Sequence, residues 1–274
     1  MPATAPAHHC RLLMSPWPGL HAASLRSARH FGRHWHEGFG IGWLEEGAQR
    51  SASGRGPVDA YAGDLISTNP GEVHDGRPLG GDSRGWHIVY IDPPLLASLR
   101  GERADALALA RPVLQDAALR ASMRLLLRRL LDWNASRDSG TALAVEESFT
   151  RAGAMLLQRH GSTRARDDQS PRLAAVRDAL ADAPATTPSL GELAALAGSS
   201  RWQLLRHFRH AYGLSPHEWL LQRRAERARG LISTGLPLAD AAAAAGFADQ
   251  SHMTRTFARL WGYSPGSWQR AAPG

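Results

Sequence analysis

Arg206 and Arg255 each stand two residues before a Phe in a phrase that this 274-residue sequence writes twice. FRHAYGLSPHEW ends at Trp219 and FARLWGYSPGSW ends at Trp268; both read Phe-x4-Gly-x-Ser-Pro-x2-Trp. An Arg guanidinium is a planar fork that can meet guanine at two acceptors at once, and a Gln amide can do the same for adenine. If Phe208 and Phe257 are buried plugs on helices, the helical turn puts Trp202, Gln203 and Arg206 on the far side of the first. Ser251, His252 and Arg255 take the far side of the second. A second set with chemistry to offer is His34 and His36 in HWH and His74 at the end of NPGEVH. Three imidazoles can hold a metal, or can line a polar pocket.

The elements that must position the arginines are legible nearby. Gly198 and Gly246 each follow a short run of small residues and precede the helix that carries a Phe. Ser189 to Glu192, SLGE, has the Ser and Glu spacing of a capping box, and Ser200 can cap the helix that follows. Ser215-Pro216 opens a helix with Pro in its first turn, where a missing N–H costs nothing. That helix is predicted to run to about Ser233, roughly 27 Å at 1.5 Å per residue. LPLADAAAAAG and DQSHMTRTFARLWG repeat the short-helix, turn, helix pattern, and SPGSW opens a last helical turn. Each copy is therefore a helix-turn-helix. Two reading helices held by one connecting helix can enter major-groove segments about one turn apart, ~34 Å along DNA. Arg223 and Arg224, on the connecting helix, stand to meet phosphates.

Residues 172–270 resemble the DNA-binding domain of the AraC family of bacterial transcription regulators. The resemblance is carried by LAALAGSSRWQLLRHFRHAYGLSPHEWLLQRRAERARGLI and LADAAAAAGFADQSHMTRTFARLWGYSPGSW, with Met253 where the family more usually has Phe. It implies DNA contacts from Trp202, Leu205 and Arg206 in the first reading helix and from Gln250, Ser251, Thr254 and Arg255 in the second. Gln203 joins them from its outward position. Leu205 cannot hydrogen-bond a base, so its contact would be apolar, for example to a thymine methyl.

Upstream, FGIGWLEEG, GDLISTNPGEVH and WHIVYIDP read as short strands broken by Gly and Pro turns, in the manner of a small barrel or sandwich. LQDAALRASMRLLLRRLLDW and LAVEESFTRAGAMLLQRH read as two amphipathic helices. Leu119, Met123, Leu126, Leu127 and Leu130 form an apolar stripe on the first, expected to pair two copies of the chain. GSTRARDDQSP, residues 161–171, is polar and charged in the manner of a linker.

This half resembles a cupin, the small β-barrel that many AraC relatives carry as a ligand-binding domain. Metal-dependent cupins add a Glu a few residues after the paired His. Here Gly40 and Ile41 occupy that place, and Glu37 would point to the opposite strand face from His36. The expectation is therefore a pocket for a small organic effector with no metal and no cofactor, lined by His34, His36, Trp43, His74, Trp86 and Tyr90. The Pro-rich start with Trp17 is expected to act as an arm over the ligand, and His8, His9 and Cys10 to lie in a tail. The resemblance to regulators that neighbour amino-acid exporters implies an amino acid as the effector class.

Composition sets the bounds. The net charge is +7, all 32 basic residues are Arg, and the single Cys10 excludes an intrachain disulfide. Residues 1–160 hold 18 Arg against 16 acidic residues, whereas residues 171–274 hold 12 against 7, which places the basic excess in the half expected to meet a polyanion. No apolar run approaches the roughly 20 residues that span a bilayer, and the start has no signal-peptide stretch. The predicted architecture is α+β and multidomain: residues 1–160 a cupin-like β-barrel plus helices for effector binding and dimerisation, 161–171 a linker, and 172–274 an all-α double helix-turn-helix. The predicted function is a cytoplasmic, homodimeric transcription regulator, not an enzyme. It binds operator or promoter DNA in response to a small molecule, and meets RNA polymerase if it is an activator. The alternatives are a metal-dependent cupin enzyme fused to a DNA-binding domain, and a constitutive DNA-binding protein with an inert barrel.

Overall fold

A computed structural model of the chain describes residues 8–81, 83–99, 101, 104–163, 170–182 and 187–272. It divides into two compact units, one built from residues up to 165 and one from residue 166 onward, with residues 31–35 grouped with the second.

The first unit is β-rich. Its six-stranded antiparallel sheet runs β1 (His9–Met14), β2 (Leu20–Ser27), β9 (Arg84–Ile91), β4 (Phe39–Glu46), β7 (Leu65–Thr68) and β11 (Val113–Leu114). A four-stranded sheet runs β3 (Phe31–His34), β8 (His74–Pro78), β5 (Ala48–Ser53) and β6 (Gly56–Tyr61). A short ladder joins β10 (Leu107–Leu109) to β12 (Gly161–Thr163), so the first three residues of the expected linker are a strand. Residues 164–169 of that linker lie outside the described residues.

Among the described residues three α-helices, α1 (Pro93–Ser98), α2 (Ala117–Ser136) and α3 (Ser139–His160), and a 3-10 turn at Ala104–Ala106 complete the unit. Asp116 caps α2 by accepting from the Leu119 amide, and the end of α3 returns to it: Arg159 and His160 both lie within 3.1 Å of its carboxylate. The apolar stripe of α2 is not available to a second copy. Leu119, Met123, Leu126, Leu127 and Leu130 are all buried in one cluster with Ile41, Trp43, Val89 and Phe149. Burial of a Leu side chain yields roughly 1.5–3 kcal/mol, and this chain's own sheet takes that gain.

The expected tail is also corrected. His9 and Cys10 lie in β1, where Cys10 and Leu12 are half-buried and alternate with exposed His9 and Arg11, the period of a strand with one covered face. Burial pushes the Cys10 thiol up to about 12. Trp17 is half-buried against the hydrophobic core and packs edge-on against Phe149 at 6.4 Å. Residues 1–7 lie outside the described residues.

The second unit is helical: α4 (Pro171–Asp182), α5 (Leu190–Leu196), α6 (Arg201–Tyr212), α7 (Pro216–Ser233), α8 (Leu238–Ala244), α9 (Gln250–Trp261) and α10 (Pro265–Ala271). The repeated phrase folds the same way twice. Phe208 and Phe257 are fully buried, and Trp219 and Trp268 nearly so. Gly213 and Gly262 end α6 and α9 at φ 72° and 77°, a left-handed conformation that costs an L side chain about 1–2 kcal/mol and glycine almost nothing. Ser215 and Ser264 then cap α7 and α10. The capping box expected at Ser189 forms with Glu192, and Ser200 and Ser215 make the same box with Gln203 and Glu218 reaching back.

Candidate nucleic-acid interface and effector site

On α6 the burial of Leu204 and Phe208 fixes which side turns outward. Trp202 is 65% exposed and Leu205 38%, and Arg206 is exposed with its guanidinium 4.7 Å from the Trp202 ring centre. Gln203 is exposed, but its Oε1 accepts from the Ser200 amide at 3.0 Å, so its amide is half engaged in the cap. On α9 Gln250, Ser251 and Arg255 are exposed. Thr254 is half-buried and its hydroxyl donates to the Gln250 carbonyl. His252 is not fully outward: its ring lies edge-on to Phe247 at 5.2 Å. Both faces therefore present side chains at the start of a helix, where a major groove admits them.

Arg223 and Arg224 are half-buried on α7; Arg224 donates to the Thr187 hydroxyl at 2.7 Å and Arg223 lies over Trp219 at 6.0 Å. A cavity of roughly 470 Å³ beside α6, lined by Arg172, Gln203, His207 and His210 among others, was not foreseen from the sequence. Its walls come from two helices and the α5–α6 turn, a juxtaposition that local spacing does not encode.

In the β-rich unit the structure brings three of the six expected pocket residues, His36, His74 and Tyr90, together. His36 lies 5.4 Å from His74 and 4.4 Å from Tyr90 between ring centres, and the Tyr90 hydroxyl is 3.2 Å from His36 Nε2. His34 is buried with its Nδ1 2.7 Å from the Gly32 carbonyl, in the segment grouped with the second unit. His21, absent from the expected set, stacks on the other side of Tyr90 at 5.0 Å because β2 pairs with β9 in the register His21 to Tyr90.

Trp43 and Trp86 do not join. β4 pairs with β9 in the register Trp43 to His87, Gly42 to Ile88 and Gly40 to Tyr90. Alternation along the strand puts Tyr90 on one sheet face and Trp43 on the other. Trp43 stacks on His87 at 4.9 Å, donates to Glu45 and belongs to the hydrophobic core. Trp86 shares the face of Tyr90, and the buried Arg84 guanidinium lies 4.6 Å from its ring. Gly40, at the place of the Glu of metal-dependent cupins, is tightly confined: a Cβ there would run into the Thr68 hydroxyl.

Residues 19–152 match the family described as AraC-like ligand binding domain, and residues 193–271 match a helix-turn-helix domain family. The chain belongs to the AraC family. It is an AraC-type transcription regulator, with a β-rich ligand-binding domain followed by a helical DNA-binding domain.

Among relatives, the chain is 26% identical over 245 residues to YbfI, an uncharacterised helix-turn-helix-type transcriptional regulator of Bacillus subtilis (strain 168), covering 86% of this chain and 87% of that one. It is 40% identical over 83 residues to the transcriptional activator NphR of a Rhodococcus species, covering 30% of this chain and 24% of that one. The structure is similar to ToxT of Vibrio cholerae, with a TM-score of 0.52 at 12% identity over 93% of this chain and all of that one. It is also similar to wild-type ToxT of Vibrio cholerae strain SCE256 with bound unsaturated fatty acid, with a TM-score of 0.51 at 12% identity over 100% and 99% of the two chains. The AraC-family fold is thus shared at low identity. Among the described residues no helix is long and apolar enough to cross a membrane.

Proposed function

We propose that this AraC-family chain reads one asymmetric DNA site with Trp202, Gln203, Leu205 and Arg206 on α6 and Gln250, Ser251, Thr254 and Arg255 on α9. In this reading it does so in response to a small molecule held near His34, His36, His74 and Tyr90. The observation that carries the DNA reading is a contrast. Two helices share one buried scaffold, Phe208 and Phe257 with their Gly and Ser-Pro stops, yet expose unlike faces. Identical scaffolds with unlike faces recognise unlike sequences about 10 base pairs apart.

The effector reading rests on polar and aromatic rings converging within a β-rich ligand-binding domain, and the fatty acid in ToxT supports a small-molecule site in this fold. Ligand binding would act by shifting a population of conformations. Residues 1–160 serve as sensor and 172–274 as reader, joined by a linker, and the chain works in the cytoplasm as a homodimer without a catalytic step. A homodimer needs a surface other than the α2 stripe.

Selection of binding sites from random DNA, with and without candidate amino acids, tests the reading. The expected result is a motif of two unlike halves and an affinity that changes with one ligand class. A symmetric motif overturns the two-reader reading, and an affinity that no ligand changes overturns the sensor.

A further inference from the structure

The cavity beside α6 lies wholly within the helical unit, and among its walls only Gln203 also serves the DNA reading. The first turn of α4 brings Arg172, the α5–α6 turn brings Gly198 and Ser199, and one flank of α6 brings Gln203, His207 and His210. Spacings of four and three residues put those last three on one side of the helix. Each polar group has a hydrogen to offer. Arg172 is a charged fork of N–H donors, and an imidazole carries an N–H in either charge state. The Gln203 Oε1 accepts from the Ser200 amide at 3.0 Å, which leaves its NH2 for another partner. The Ser199 hydroxyl oxygen is buried and has no hydrogen-bond partner among the described residues. A buried hydroxyl in that state calls for an atom from outside the chain. Gly198, at φ 60°, makes room for the cation: a Cβ there would lie 3.0 Å from Arg172 Nη1. The N-terminus of the 12-residue α4 adds its partial positive charge. Among the described residues no carboxylate lines the cavity.

We propose that this cavity binds the phosphoryl group of a small phosphate ester. Donors converge on it from α4, from the α5–α6 turn and from α6. A phosphoryl group has three terminal oxygens to meet three such walls, whereas a planar carboxylate has two oxygens and is met from one side. The guanidinium of Arg172 takes two of the oxygens as a fork, and His207, His210 and the Ser199 hydroxyl supply the remaining hydrogens. The volume of roughly 470 Å³ falls within the range of about 300–1,000 Å³ found for small-molecule sites. An organic body therefore accompanies the phosphoryl group, against the apolar Leu173 and Ala197 on the same walls. Bound DNA is the other source of phosphoryl chemistry. A backbone phosphodiester has only two free oxygens and brings no separate organic body into the cavity, so the free ester fits better. The site is additional to the effector cluster of the β-rich unit and does not depend on the two-reader model.

Calorimetry on untagged full-length protein, free of DNA and in chloride buffer, tests this. The probes are inorganic phosphate and ribose 5-phosphate, with ribose and acetate as controls. The expected result is one ribose 5-phosphate per chain, bound more tightly than inorganic phosphate, with no binding of ribose and at least about tenfold weaker binding of acetate. Affinity for the ester should fall about tenfold or more in Arg172→Gln and in the double variant His207→Gln with His210→Gln, and stay unchanged in Arg270→Gln. The substituted side chains are exposed, and circular dichroism checks that each variant is folded. Absence of binding by both phosphate probes at millimolar concentration, affinity retained in either folded variant, or acetate bound as tightly as the ester overturns the proposal. A second arm separates the two sources. If neither probe binds, yet Arg172→Gln lowers the salt slope of binding to a random duplex by about one, the phosphoryl group belongs to DNA and the small-molecule site is overturned. The calorimetry contains no DNA, so its failure leaves the two-reader model standing.

Discussion

The Arg206 guanidinium sits 4.7 Å from the centre of the Trp202 ring, and the matching pair one repeat later is Arg255 and Ser251. An exposed indole under a guanidinium stabilises it by about 0.5–1 kcal/mol and narrows its rotamers. α6 thus carries a braced arginine, and α9 lacks an aromatic brace at the corresponding position. Arg206→Ala and Arg255→Ala should each weaken binding to the cognate site by roughly 1–3 kcal/mol and relax preference in one half only. Trp202→Ala should relax the same half as Arg206→Ala, by less. Binding-site selection with the three variants checks this; loss at the same positions in both arginine variants sinks the two-reader model.

Phe208 and Phe257 are each fully buried, and each closes one copy of the helix-turn-helix. Replacing either by Ala should destabilise the helical unit by about 3–5 kcal/mol, through lost burial plus the cavity left behind. Denaturant unfolding followed by tryptophan fluorescence reads the loss. The two costs should be alike if the copies are energetically equivalent.

Leu126 is fully buried between α2 and its neighbours. Leu126→Ala should lower stability by about 2–5 kcal/mol and leave the association state of the folded protein unchanged. Sedimentation velocity beside a thermal melt distinguishes the two effects. A variant that turned monomeric at unchanged stability would restore the stripe as an interface.

Glu72 gives a pH signature. Burial by itself would raise its carboxyl, but the Arg55 guanidinium and bonds from Asn69 and Ser53 outweigh that and hold it below the ordinary glutamate range. A depressed native pKa means stability that is fully present above the unfolded value, about 4.3, and is lost as pH falls through the folded one. Glu72→Gln should therefore be less stable at neutral pH and show a shallower acid limb. Urea midpoints measured from pH 7 down to about pH 3 test this; parallel curves for the two proteins would refute it.

The helical unit was legible almost element by element because its signals are local. Ser189, Ser200 and Ser215 mark helix starts, Gly213 and Gly262 mark stops, and each acts within one turn of the residues it governs. Trp202, Gln203, Arg206 and Arg255 could be placed outward from helical phase against Phe208 and Phe257, whereas Leu205 came only from the family resemblance. The β-rich unit was legible as strands and two helices but not as a site. Which ring meets Tyr90 depends on the register of β2 and β4 on β9, and register is a long-range property. That is why Trp43 was misplaced by one sheet face and His21 was missed. The α2 stripe was seen, but an apolar stripe does not say whose surface it covers.

α7 spans 18 residues without a Gly or Pro between its first turn and Gly230. With Ser233 bonded to Trp268 of α10 and Arg229 packed over Trp261 and Trp268, its far end is clamped to the second reading module. A helix held in this way cannot lengthen or twist to follow its target. Each base pair inserted between the two half-sites rotates the second groove by about 34° around the DNA axis and carries it about 3.4 Å away. The genome positions this protein serves are thereby constrained in angular phase: single-base insertions in the spacer should be as damaging as changes to the bases that are read, even where no side chain touches the spacer.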